Sequence, residues 1–95
     1  MPAYLIANIE VTAPVAYEEY RRLAPAAIAA HDGRYFARGG ATIVLEGEFT
    51  PHRLMILEFS DMAKLKAFHE SPEYQPLVAM RNSAARSSFV AVEGI

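Results

Sequence analysis

The side chains able to do chemistry in this chain are Glu10 and Glu58, the amide of Asn8, the guanidinium groups of Arg38 and Arg81, and the phenol of Tyr74. An arginine can pair both oxygens of a ligand carboxylate, while a glutamate beside it serves as base or hydrogen-bond acceptor. Two carboxylates close together in a partly dry site push one pKa upward, which suits proton transfer near neutral pH. Glu58, Glu10 and Arg38 are therefore the candidate catalytic residues; Asn8, Arg38, Arg81 and Tyr74 are the candidate ligand-binding ones. A plainer reading makes Arg38–Glu58 and Arg81–Glu10 structural ion pairs, some of them crossing a subunit interface. Residue types alone admit both.

Both arginines follow residues that shape the backbone. Arg38-Gly39-Gly40 is closely followed by Glu46-Gly47, and Arg81 comes after Ser71-Pro72-Glu73-Tyr74-Gln75. Gly39-Gly40 is able to form a backbone nest for an anion, although such a pair more often just lets a strand bend. Pro72 and Pro76 hold the segment carrying Tyr74 in place.

Composition narrows the function classes. With no cysteine there is no disulfide, no thiolate nucleophile and no cysteine metal site. His31, His52 and His69 are too widely spaced for a local ligand pair, so no metal is expected and no cofactor is implied. A net charge of −2 argues against a nucleic-acid surface. No apolar run approaches the ~20 residues that cross a bilayer. The first residues show no basic region followed by an apolar run, so a cytoplasmic location is expected. The 95 residues make one domain, 1–95, of 53% apolar and 21% charged residues. A core this small buries only about 60–65% of the unfolded chain's surface, so the apolar excess points to a homodimer interface.

The elements that must position these groups follow from periodicity. Ala3 to Val11 alternates, with Leu5, Ala7 and Ile9 on one face and Tyr4, Ile6, Asn8 and Glu10 on the other. Thr12-Ala13-Pro14 opens a helix with Tyr17, Tyr20, Ala24, Ala27 and Ile28 inward, and the two tyrosine hydroxyls reach its rim. Pro25 should kink or split that helix near Leu23, and Asp32-Gly33 ends it, with glycine taking the left-handed conformation. Arg34 to Glu46 is expected as a long second strand bent at Gly39-Gly40, and Leu54 to Phe59 as a third. Ser60 should cap a second helix, broken at Ser71-Pro72. A short helix over about Pro76 to Ala85 and a strand from Phe89 to Glu93 complete the chain.

The order is β-α-β-β-α-β, a ferredoxin-like α+β pattern with a four-stranded antiparallel sheet and helices on one face. Strands one and three are expected side by side and parallel, which would gather Glu10, Glu58, Asn8, Arg38 and Arg81 at one mouth of the open face. Tyr4, Ile6, Leu54 and Ile56 make that face too apolar to stay wet, and a second copy of the sheet is its expected cover.

With these residues in view, the chain resembles the domain-of-unknown-function family numbered 1330, within the dimeric α+β barrel superfamily. The likeness is carried by Tyr17-Glu18-Glu19-Tyr20, Gly33-Arg34-Tyr35, Arg38-Gly39-Gly40, Leu45-Glu46-Gly47, Leu57-Glu58-Phe59, the Ser71–Gln75 segment, Arg81 and Val92-Glu93-Gly94. It implies a homodimer with two facing sheets and no particular reaction. The function expected is binding of a small anionic or hydroxylated organic molecule at the sheet face. Proton-transfer or cofactor-free oxidative chemistry is compatible with it. The alternative is a non-catalytic dimerisation or ligand-sensing module whose buried charges are structural.

Overall fold

Strict alternation produces β1, Ala3–Val11, in which Ala3, Leu5, Ala7 and Ile9 are buried while Tyr4, Ile6, Asn8 and Glu10 are half covered. The computed structural model describes residues 1–95. α1, Pro14–Ala30, starts with Pro14 in its first turn and runs through Pro25 as one element. The expected split does not occur. Ala24, Ala26, Ala27, Ala29 and Ala30 are the best helix formers, and burial of Ala24, Ala27 and Ile28 offsets a proline cost of about 3 kcal/mol.

The turn after α1 also differs in detail from expectation. Asp32, with φ 60°, takes the left-handed position, which a short polar side chain tolerates. Gly33 is needed for space instead: a Cβ there would lie 2.6 Å from the Phe59 ring and 2.8 Å from Ile28.

β2 is Arg34–Arg38 and β3 is Arg53–Phe59. α2, Met62–His69, is capped by Asp61, whose carboxylate accepts from the Lys64 amide at 2.8 Å, so the cap lies one residue beyond Ser60. α3, Gln75–Ala84, passes directly into β4, Ala85–Glu93. β2 stops short of Glu46 because its partner begins only at Arg53. Its last ladder pair is Arg38 with Met55, followed by one bond from Gly39 N–H to the Leu54 carbonyl at 2.8 Å. Residues 40–52 join no strand and leave Ile43, Leu45 and Phe49 exposed.

The sheet order is β2-β3-β1-β4 and every neighbouring pair is antiparallel. The parallel β1–β3 pair expected from the sequence is therefore corrected. Each helical crossover returns the chain in its original direction, but the β2–β3 connection reverses it once, so β3 runs against β1. The helices cover the face of Leu5, Ala7, Ile9, Leu57 and Phe59, forming one core with Tyr20, Ile28, Leu65, Phe68 and Leu77. The opposite face is open and carries Tyr4, Ile6, Ile56, Val90 and Val92.

Candidate functional site

Antiparallel pairing separates the carboxylates meant to meet. Glu58 stands opposite Tyr4 and Glu10 opposite Arg86, at the two ends of β1. Glu58 is held within its own subunit: Arg34 Nε donates to Oε1 at 2.8 Å and the Tyr4 hydroxyl to Oε2 at 3.2 Å. Glu10 lies 3.7 Å from Arg86 rather than against Arg81. Asn8 ties residues 50–52 to the sheet, donating to the Thr50 carbonyl at 3.0 Å and accepting from the His52 amide at 2.8 Å. The single mouth containing all five residues does not form.

Two of the five do belong to one region, on the helix-covered side. Plain alternation from Arg34 would put Arg38 on the open face. A bulge between Tyr35 and Ala37 shifts the register, so that Tyr35 pairs with Leu57 and Arg38 with Met55, both helix-facing. Arg38 then lies over the Tyr35 ring with its guanidinium carbon 4.3 Å from the centroid. Arg53, at the start of β3, shares that face. Gly39, at φ 67°, leaves room for it, since a Cβ there would collide with its guanidinium.

These side chains rim a cleft between α1 and the sheet. It is walled by Leu5, Ala7, Met55, Phe68 and Phe89, floored by the phenols of Tyr17, Tyr20, Tyr35 and Tyr74, and edged by Arg21, Arg38 and Arg53. No aspartate or glutamate lines it. About 470 Å3 of empty space extends to the mouth, but only about 30 Å3 is open to the centre of a water molecule. That holds about two waters, so a ring-sized ligand enters only if rim side chains move.

Behind the floor lies Arg81, 5% exposed. Its Nη1 donates to Tyr74 Oη at 2.8 Å, its guanidinium carbon sits 4.1 Å above the Phe89 ring, and its Nε is buried without a hydrogen-bond partner. No carboxylate lies within ion-pair distance, as the six ion pairs of the chain involve other arginines, a lysine and a histidine. A buried cation without a counter-charge is costly.

Burial raises all four phenols above the usual tyrosine value, most strongly Tyr20, and the arginines offset this only in part. The hydroxyls are therefore protonated donors at neutral pH. The folded state disfavours phenolate, so its stability is fully present below the ordinary phenol pKa of about 10 and is lost as pH rises through and beyond it. Thermal melts from pH 7 to 11 should be flat up to about pH 9.5 and then fall, and less steeply for Tyr20→Phe. A flat profile to pH 11 in the native protein would show that these hydroxyls are not held away from water.

Sequence reasoning placed Arg38, Arg81 and Tyr74 among the functional candidates and missed Arg53, Tyr35 and the hydroxyl roles of Tyr17 and Tyr20. One signal was present. Leu77, Arg81 and Ala84 fall on one stripe of α3, so a charged residue occupies a core position in the helical repeat.

A βαββαβ chain with a four-stranded antiparallel sheet, helices on one face and an apolar second face is a ferredoxin-like α+β protein of the kind found in dimers. The family described as domain of unknown function (DUF1330) matches residues 2–95, and this chain belongs to it. A comparison with curated proteins finds no match. Among solved structures, a protein of unknown function from Rhodopseudomonas palustris, RPA0582, is similar at 18% identity and a TM-score of 0.77, over 99% of this chain and 82% of that one. A dimeric ferredoxin-like protein of unknown function from Jannaschia sp. CCS1 is 18% identical with a TM-score of 0.71, over 99% and 100% of the two chains. SnoaB, a cofactor-independent oxygenase from Streptomyces nogalater, is 15% identical with a TM-score of 0.71, over 99% and 93%. No helix is long and apolar enough to cross a membrane.

Proposed function

We propose that this protein is a homodimer whose open sheet faces cover one another. Each subunit binds a small, partly apolar organic anion in the cleft between α1 and the sheet. The observation that carries the ligand reading is the cleft's charge: Arg38 and Arg53 at the rim, Arg81 behind the floor, four phenol donors, and no carboxylate in the lining. Anions are held by such donor sets, and the apolar walls select an organic body over a hydrated inorganic ion. Support for the dimer comes from exposed Phe36, Val90 and Val92 on the strands and from exposed Ile43, Val44, Leu45 and Phe49 in the segment between β2 and β3. Fold neighbours described as dimeric agree with it.

Catalysis is the finer form of this reading. SnoaB is a cofactor-independent oxygenase, and likeness of fold alone offers that chemistry only by analogy. Glu10, Glu58 and Asn8 lie on the open face, and in the proposed dimer they fix the register of the two subunits. The bonds that Glu58 already makes to Arg34 and Tyr4 favour this interface role for the acidic pair, as in a non-catalytic ligand-sensing module.

Native mass spectrometry of gently purified protein tests both halves. The expected species is a dimer carrying a non-covalent small molecule, and the exposed Arg38→Ala variant should remain dimeric while losing that mass. A dimer in which Arg38→Ala retains the molecule would remove the arginine rim from the proposal. A monomer would remove the covered sheet face.

A further inference from the structure

Tyr74 is 1% exposed against 6% for Tyr20, so of the two phenols on the cleft floor its hydroxyl proton is the one more in need of an acceptor inside the protein. Two groups bond to its oxygen: Arg81 Nη1 at 2.8 Å and Tyr20 Oη at 2.6 Å. A guanidinium only donates. The Tyr74 oxygen therefore accepts from Arg81, and Tyr20 Oη is the one protein group able to accept its proton. The reverse order, with Tyr20 donating, would bury the Tyr74 proton unpaired at a cost of about 1–3 kcal/mol. Tyr20 consequently accepts from Tyr74 and must place its own proton elsewhere. It lines the cleft, and its other hydrogen-bonding neighbour, Arg81, only donates and cannot take that proton.

We propose that Arg81, Tyr74 and Tyr20 form a one-way hydrogen-bond chain whose last O–H donates into the cleft and receives an anionic oxygen of the ligand. The class of ligand is a flat, partly apolar molecule bearing a carboxylate, phenolate or enolate. Each link polarises the next, so the uncompensated charge of Arg81 is felt at the Tyr20 proton across two hydroxyls. An arrangement of this kind stabilises negative charge without reorganising when the charge arrives. The burial that keeps Tyr20 protonated also keeps it a donor. This inference rests on the cleft reading above, to which it adds the atom that meets the ligand.

The test uses 4-nitrophenol, whose ionised form is coloured, beside nitrobenzene, which fills the same space without the oxygen. Native protein should bind the phenolate in preference, shifting the dye's titration to lower pH. Tyr20→Phe should weaken 4-nitrophenolate binding by about tenfold or more and leave nitrobenzene binding unchanged. Tyr74→Phe keeps the Tyr20 hydroxyl but cuts it from Arg81, and should cost severalfold. Unchanged phenolate affinity in Tyr20→Phe overturns the chain while the cleft stands. If Tyr20→Phe fails to fold, unchanged affinity in Tyr74→Phe overturns it equally. If neither probe binds the native protein, the cleft reading itself falls, and the chain's ligand role with it.

Discussion

Val90→Glu is expected to make the protein monomeric at micromolar concentration while leaving each subunit folded. Val90 is 60% exposed in the single subunit, where the change should alter stability by no more than about 0.5 kcal/mol. In the proposed dimer the two-fold axis brings the same face of both subunits together, so each new carboxylate is buried without a partner. Such a charge costs several kcal/mol, or about a thousandfold in dissociation constant. Sedimentation equilibrium reads the change directly. Val15→Glu, at a 91% exposed position on α1, is the control that should remain dimeric. A Val90→Glu protein that associates as tightly as the native one would show that the open sheet face is not the interface.

Phe68→Ala should cost about 3–5 kcal/mol, a large part of the roughly 5–15 kcal/mol that holds a domain together. Phe68 is 1% exposed, stacked on Phe59 with ring centroids 5.3 Å apart and set against Tyr74 at 4.3 Å. Removing it opens a void in a core this small and frees the Tyr74 ring that carries the Arg81 bond. Urea unfolding at fixed protein concentration measures the loss, because dimerisation makes apparent stability depend on concentration. A loss below about 1 kcal/mol would mean that the aromatic cluster is loosely packed.

How far the fold could be read from sequence varied with the range of the interactions involved. The alternation of Leu5, Ala7 and Ile9 and the helical repeat of Tyr17, Tyr20, Ala24 and Ile28 are local patterns, and each element formed where its pattern lay. The β-α-β-β-α-β order and the bare apolar face followed from them. The direction of β3 did not come from any local pattern: it depends on counting reversals along the whole chain, and treating β1 and β3 as parallel brought Glu10 and Glu58 wrongly to one end. The length of β2 was hidden for a related reason. Thr42 to Glu46 has strand-like composition, yet a strand needs a partner at the right register, and β3 offers none beyond Leu54.

The candidate site was harder still. Tyr17 and Tyr20 read as core because they are core, and their hydroxyls acquire a role only when Tyr74 and Arg81 arrive from α3. Residues 54 positions apart share a 2.6 Å hydrogen bond here. Nothing in the spacing of either segment announces that meeting. What the sequence did carry was the anomaly itself, an arginine where the repeat of α3 demands an apolar residue.

The bulge in β2 gives the chain a property that concerns its inheritance more than its energetics. One surplus residue is absorbed between Tyr35 and Ala37, so that Ala37 stands opposite Ile56 and Arg38 opposite Met55. Deleting a single codon there would restore plain alternation and still leave Arg38 opposite Met55 on the cleft side, because it would then stand three places after Arg34. No side chain would be exchanged for another. Among relatives sharing this sheet, the second strand can therefore gain or lose one residue at this point without turning a charged cleft into a charged interface.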